Sequence, residues 1–371
     1  MRGLTWDHPR GYAPLDELTR LDLAGANPYG EVPEPIEWDR QPLEGFESEP
    51  IAKLCETYDV LVIDHPGLGA AVDALVPMEE LFEPDELERL RTGTVGRTWD
   101  SYHLDGRQWA LPLDAATQVA AARPGVAVPK TWPKAMELAR STSMTLCLGG
   151  PHAFLMFCAL CSGDLLVPES RAPRSDGFLD EGAGLQALEL MAELLALADP
   201  DVSRLNPIGV LDAIAAGGPQ WCPLLYGYVT YPLTFSDAPA WPGHAPGSVL
   251  GGTGLAVSRR RIGEIRDAVQ AHLLRLTSEP VQTGLFPAVG GQPAARSAWD
   301  DKGFYRDTRA TMEAAWIRPR FPGYIALQER SSALIRDGLL AGTPARTLLD
   351  DLHSGPLSNL PGGPHQEWRN T

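Results

Sequence analysis

The stretch from Gly106 to Trp132, GRQWALPLDAATQVAAARPGVAVPKTW, carries a proline inside an apolar run, and that residue constrains the topology most. Gln108 to Leu113 has the composition of a strand. Pro112 has no N–H to give to a ladder, so this strand is expected at a sheet edge, or to leave its sheet here. Asp114, Thr117 and Gln118 follow as a polar patch that reads as the strand's end. Pro124, Gly125 and Pro129 then mark a loop, and Thr131 and Pro133 read as the N-cap and first turn of a helix. Two readings fit: a crossing between two lobes, or an ordinary strand–loop–helix unit of one domain.

Length favours the first, because single cores tend to split beyond roughly 250–300 residues and the chain has 371. Its net charge of −17 argues against non-specific binding to nucleic acid or anionic membranes. No segment approaches the roughly 18 consecutive apolar residues of a membrane span. At the N-terminus, MRGLTWDHPRGYAPL, the apolar piece Leu4–Trp6 is too short for a secretory signal. The expectation is a cytoplasmic protein, or a mature form whose leader is missing. The cysteines, Cys55, Cys147, Cys158, Cys161 and Cys222, sit mostly in apolar settings and suggest no disulfide framework. Cys158 and Cys161 form a C-x-x-C inside FLMFCALCSG, which reads as a buried helix with small core residues.

Gly3–Trp6 reads as a first strand and Asp59–Ile63 as a strand covered on both faces. Each ends in Asp-His-Pro: Asp7-His8-Pro9 and Asp64-His65-Pro66. Ligands of open α/β sheets bind beyond the carboxyl ends of strands, so two such ends in one sheet would bring Asp7, His8, Asp64 and His65 together. Asp and Pro also simply terminate strands well. The sequence predicts helices from Pro14, over Ala153–Ser162 with Gly163 as C-cap, over Leu185–Ala198, Ile262–Thr277, Phe304–Ala315, Ile325–Leu340 and Pro344–Leu352. Met144–Leu148 reads as a strand, Arg171–Gly177 as a polar loop, and Ser248–Val257 as a Gly-punctuated strand pair. The glycines there are better explained by close backbone approach than by phosphate binding. Tyr228, Tyr231, Phe235 and Trp241 fall in an aromatic-rich loop, and Ser354 onward reads as a loose tail.

Several stretches, in order, resemble one family. They are Tyr58–Gly69 (YDVLVIDHPGLG), Trp109–Pro112 with Pro124–Trp132, Gly251–Ser258, Leu276–Gln282, Gly290–Arg296, and Arg318–Gln328 with Gly342. Together they resemble ABC-transporter solute-binding proteins of the carbohydrate-binding, maltose-binding-protein-like superfamily, over roughly residues 3–352. The resemblance implies an α/β, two-lobe periplasmic-binding-protein-like fold (type 2), with discontinuous lobes joined by a multi-strand hinge. Crossings are expected near Leu111–Asp114, Pro246–Gly252 and Arg296–Tyr305. The first lobe would take 1–111 and 252–300, the second 112–251 and 301–352, and 353–371 would be the tail.

The same resemblance implies a non-catalytic protein that captures a small polar solute, a carbohydrate or related polyol or acid, for the membrane subunits of an ABC importer. It implies hinge closure, a monomer, no cofactor, no metal and no nucleic-acid partner, and a periplasmic or extracytoplasmic address. Carried over position by position, the cleft residues are Asp7, His8, Arg10, Asp64, His65, Gly67, Asp114, Thr117, Tyr228, Tyr231, Gly252, Thr253 and Arg318. Two departures from the family are expected: no export signal before the first strand, and Asp-His pairs that give the cleft ionisable character. The competing expectation is a cytoplasmic enzyme, metal-dependent protein or ligand sensor on the same fold. It would use the pairs at 7–8 and 64–65, since Asp and His ligate divalent metals and can act as a general base.

Overall fold

Val60–Ile63 (β3) has no polar position, so both of its faces need cover. Val60 and Val62 join one apolar cluster with Leu15, Leu18, Val269 and Leu273. Leu61 and Ile63 join another with Ile51, Leu68 and Tyr102. The structure, a computed structural model, describes residues 1–25, 27–30, 34–162, 181–300 and 303–359. Arg2–Trp6 (β1) lies parallel to β3, and Glu37–Gln41 (β2) lies parallel to β1. His103–Leu104 (β4) and Arg107–Gln108 (β5) form a separate small hairpin.

Ala110–Ala122 (β6) is 13 residues long and buried throughout. At about 3.3 Å per residue it reaches roughly 40 Å, enough to serve two lobes. Trp221–Tyr226 (β7) and Thr234–Ser236 (β8) pair with its last residues, Gln118–Ala122. Leu250–Val257 (β9) pairs with its first part, Ala110–Thr117, and on its other side with β3, both antiparallel. The order β2-β1-β3-β9-β6 makes β6 the last strand of the first ladder, and Pro112 sits there at a register shift. The proline thus lies at a sheet edge, as its missing N–H requires. The polar patch does not end the strand. Asp114, Thr117 and Gln118 lie within β6, which runs on into the second ladder.

That ladder is backed by the helices Trp132–Ala139, His152–Cys161, Glu181–Leu195, Tyr324–Leu340 and Ala345–Ser354. Trp132, Phe154, Phe157, Met191, Leu194, Leu339 and Leu349 form their shared core. A third segment joins the crossing: Trp316 N–H donates to Ser248 O (2.9 Å) and Leu250 N–H to Trp316 O (2.7 Å). Ala115, Leu250, Trp299, Met312 and Ile317 pack around this meeting point. The result is two α/β lobes joined by a multi-strand hinge.

Other elements differ from expectation. The first helix is Pro9–Leu23 and not a helix from Pro14, because His8 caps it: His8 Nδ1 accepts from Arg10 N–H (3.1 Å), with Pro9 in the first turn. Met144–Leu148 forms no strand; only Met144 makes isolated bridges, to Ala198 and Trp221. Phe304–Ala315 divides into Phe304–Asp307 and Arg309–Ala314. Ser248–Val257 supplies one strand, not a pair. Ser354 closes the last long helix and Leu357 is buried beyond it, so the tail does not loosen at 354. Gly163, Arg171–Gly177 and residues 360–371 lie outside the described residues. All five cysteines are buried and none is in a disulfide, and burial raises the Cys158 thiol. No helix among the described residues is long and apolar enough to cross a membrane.

Gly252 explains part of the glycine run. Its φ is +93°, and a methyl there would collide with the Asp114 carbonyl oxygen and approach Ala115 Cα at 2.9 Å. Gly252→Ala is therefore expected to destabilise the fold by about 1–3 kcal/mol, read by denaturant unfolding.

Candidate ligand-binding cleft

Where the two cores face each other, a small cavity opens. First-lobe elements contribute Trp6, Arg10, Phe46 and Asp64; β6 and β9 contribute Ala116, Gly252 and Thr253. The second side contributes Leu155, Tyr226, Tyr228, Arg318 and Gln328. Its volume is about 60 Å³, far below the roughly 300–1,000 Å³ of ligand pockets. A larger cavity, about 480 Å³, lies beside the start of β6 between Arg89–Thr94 and Ala294–Asp300. It touches none of the residues above and has no wall from the second core, so the smaller cavity is the candidate site.

Two ion pairs frame it. Arg10 Nε donates to Asp114 Oδ2 (2.9 Å) and its Nη2 to Asp114 Oδ1, both side chains fully desolvated. The guanidinium lies over the rings of Trp6 (5.5 Å) and Tyr228 (4.9 Å). Arg318 Nη2 donates to both oxygens of Asp64, at 2.8 and 2.7 Å. Burial pushes the Asp64 carboxyl up, but the Arg318 guanidinium and the neighbouring His65 together outweigh it and hold the group at about 2. For Asp114 burial dominates and raises the carboxyl against the pull of Arg10. Arg10 nonetheless stays protonated: its own burial works against the charge, but the charge and hydrogen bonds of Asp114, with Tyr228 and Tyr226, together outweigh it.

His8, His65 and His152 are neutral near pH 7. Burial, with Arg10 second, lowers His8 to about 4. Burial, with Arg318 second, lowers His65 to about 4 and His152 to about 3. The ionisable character expected from the Asp-His pairs is thus cancelled: Asp64, the aspartate that reaches the cavity, faces Arg318, and His8, His65 and His152 are uncharged.

The cavity gathers Arg10, Asp64, Tyr228, Gly252, Thr253 and Arg318 from the expected set. Asp114 stands directly behind Arg10. The others do different work. Asp7 is exposed and faces Arg40 on β2 (3.7 Å). His8 stacks on Trp6 (5.2 Å) and meets Tyr228 edge-on (4.8 Å), holding the wall from behind. His65 is fully buried against Tyr102, and Gly67 sits in the 3-10 turn His65–Ala70 against Ile51. The Thr117 hydroxyl is spent inside the hinge on Ser248 and Val249 O. The Tyr231 hydroxyl donates to Asp212 (2.8 Å). The two Asp-His pairs therefore form no shared site, and no group of three or more His, Cys, Asp or Glu among the described residues could hold a metal.

Sequence reasoning missed Trp6, Phe46, Tyr226 and Gln328. Trp6 is the last residue of β1, so the strand-end rule that singled out Asp7 pointed at its neighbour too. Phe46 stacks on Trp6 at 5.7 Å, forming an aromatic floor. Gln328 sits among Tyr324, Leu327, Ser331 and Ile335 on the buried stripe of its helix. A glutamine on such a stripe was the available signal. Three buried polar atoms on these walls, Trp6 Nε1, Arg318 Nε and Gln328 Oε1, have no hydrogen-bond partner among the described residues.

No protein-family model and no curated protein matches the chain. Solved structures do. Maltose-bound MalE3 of T. maritima is similar at 17% identity and TM-score 0.74, covering 96% of this chain and 98% of that one. An ABC-transporter solute-binding protein from Agrobacterium radiobacter K84, in complex with ribitol, gives the same identity, TM-score and coverage. One from Thermotoga lettingae TMO, bound with alpha-D-tagatose, gives 16% identity and TM-score 0.73 over 97% and 98% of the two chains. At this identity the likeness establishes the fold: this chain has the two-lobe architecture of these proteins over about 96% of its length.

Proposed function

We propose that the chain is a non-catalytic solute-binding protein that captures a small neutral polyhydroxy ligand, a sugar or polyol, between its lobes for an ABC importer. The observation that carries this is the charge balance of an aromatic-floored cavity. A free carboxylate or ammonium on the ligand would need an unpaired counter-charge there, and both arginines and both aspartates are already committed to each other. Trp6 and Phe46 offer flat faces to a sugar ring, while Trp6 Nε1, Arg318 Nε and Gln328 offer the hydrogen bonds that hydroxyls need. The neighbours are named as proteins bound to maltose, ribitol and tagatose, which supports the same ligand chemistry. The role carries an extracytoplasmic address. The lobes are taken as 1–111 with 252–300, and 112–251 with 301–352.

A thermal-shift screen against sugars, polyols, organic acids and divalent metals tests this. Saturation at a hundredfold excess over Kd adds about 2.7 kcal/mol of stability. Shifts confined to neutral sugars or polyols are expected; a shift with metals or acids alone would refute the proposal. With a ligand in hand, Trp6→Phe keeps the ring but removes the indole N–H, and Gln328→Leu removes the amide. Each is expected to weaken binding by about 0.5–1.5 kcal/mol, roughly two- to tenfold, by calorimetry.

A further inference from the structure

The larger of the two cavities has a chemistry of its own. Its volume of about 480 Å³ lies within the roughly 300–1,000 Å³ of small-molecule sites. The end of the helix Pro84–Thr92, the helix Thr98–Ser101, the start of β6 and the 3-10 turn Arg296–Asp300 enclose it. Trp99, Leu90, Leu111, Pro112, Ala294 and Ala295 give it apolar walls. The polar side chains among them are already committed. Gln282 Nε2 donates to the carbonyls of Leu113 (3.1 Å) and Leu276 (2.9 Å), and its Oε1 accepts from Ala295 N–H (3.1 Å). The hydroxyls of Thr92, Thr94 and Thr277 donate to carbonyls one turn back, at 3.0, 2.9 and 2.8 Å. The rim differs. Of the four charged side chains there, Arg89 donates to Glu86 (3.1 Å) and Asp300 accepts from Arg309. Arg296 spends only its Nε, on the Thr94 carbonyl (3.2 Å). Glu279 is engaged only through its backbone carbonyl, which accepts from the Thr283 hydroxyl (2.8 Å), and its carboxylate joins no ion pair among the described residues. One cation and one anion are thus left at the mouth of an apolar chamber. The cleft is the reverse, with its charges paired and its hydrogen-bonding groups open.

We propose that this cavity is a second ligand site, for a free amino acid with a large apolar or aromatic side chain. Arg296 takes the carboxylate, Glu279 takes the ammonium, and the side chain lies against Trp99, Leu90 and Leu111. Each charge of such a ligand meets its opposite through charge-assisted hydrogen bonds. Its apolar body meets surface that asks for no hydrogen bond. A sugar would bring hydroxyls that the committed side chains cannot satisfy. A plain carboxylate would meet Arg296 but face Glu279, and a plain amine would do the opposite. The site shares no residue with the cleft and does not depend on what the cleft binds.

Calorimetric titration of the full chain with L-phenylalanine and L-leucine tests this, beside three probes that each lack one part. Phenethylamine has no carboxylate, 3-phenylpropionate has no ammonium, and glycine has no apolar body. Both amino acids are expected to bind, and each probe to bind more weakly by about tenfold or more. Glu279→Gln should weaken L-phenylalanine by about the same factor and should then bind 3-phenylpropionate equally well. Arg296→Gln should remove the preference over phenethylamine in the same way. The Glu279 side chain holds nothing else in place, so its variant is expected to keep the parent's melting temperature. Trp6→Phe and Gln328→Leu, both on the cleft, should leave L-phenylalanine binding unchanged. No binding of either amino acid at millimolar concentration would overturn the proposal. So would binding that Glu279→Gln leaves untouched, or that Trp6→Phe weakens, since the latter puts the amino acid in the cleft. No sugar enters these titrations, so a failed sugar screen and a failed amino-acid titration remain separate results.

Discussion

Asp114→Ala is expected to lower the unfolding free energy by about 3–5 kcal/mol, the cost of leaving a buried charge without its partner. The size follows from where Arg10 sits. Its side chain is only 4% exposed, with Trp6 and Tyr228 on its faces, so no water can replace the lost carboxylate. Urea unfolding measures it, and the melting temperature should fall in parallel. Replacing both partners, Arg10→Met with Asp114→Leu, is expected to recover most of the loss, because similar-sized apolar groups need no counter-charge. A single variant within 1 kcal/mol of the parent, on the scale of an exposed pair, would mean that the pair is wetted in solution.

Acid is expected to be nearly as damaging, through the buried histidines. His65 and His152 have folded values of about 4 and 3 against an ordinary 6.5, so the unfolded chain binds protons that the folded chain refuses. Stability is full above pH 6.5 and falls as pH drops from 6.5 towards 4 and then 3. The full loss is on the order of 3 kcal/mol or more per histidine. Asp64 adds its own loss only below about pH 4, as its carboxyl, held at about 2, is forced to protonate. His152→Phe is the diagnostic variant. Neither ring nitrogen of His152 has a hydrogen-bond partner among the described residues, and its ring meets Tyr226 edge-on at 5.8 Å. The variant should make the stability profile shallower between pH 3 and 6.5, removing the His152 share of the loss and leaving that of His65. A profile as steep as the parent's would place the acid sensitivity elsewhere.

The sequence carried the architecture further than the site. An all-aliphatic β3 demands two covered faces, and a proline in β6 demands an edge, so the first ladder was readable. The charged members of the cleft, Arg10, Asp64, Asp114 and Arg318, were readable as polar residues at strand ends or turns. Their partners were not, since Arg10 and Asp114 are 104 positions apart and Asp64 and Arg318 are 254 apart. Only the fold says that each arginine is already neutralised. The repeated Asp-His-Pro misled for the same reason. The first histidine caps a helix and stacks on Trp6, the second turns inward to Tyr102, and their aspartates face different arginines. Thr117 and Tyr231 look like ligand donors until the hinge and Asp212 claim their hydroxyls. Trp6 and Gln328 look like core residues because nothing local reveals that the buried surface they face belongs to another lobe.

The most direct test is calorimetric titration of the chain with the best neutral sugar or polyol from the screen, and with the matching compound in which one hydroxymethyl is a carboxylate. A paired, electroneutral cleft should bind the neutral form and reject the acid by 100-fold or more, about 2.7 kcal/mol, with the preference retained from pH 6.5 to 8, where the cleft histidines stay uncharged. Equal or tighter binding of the carboxylate would contradict it, because it would require an arginine in the cleft that its aspartate does not hold.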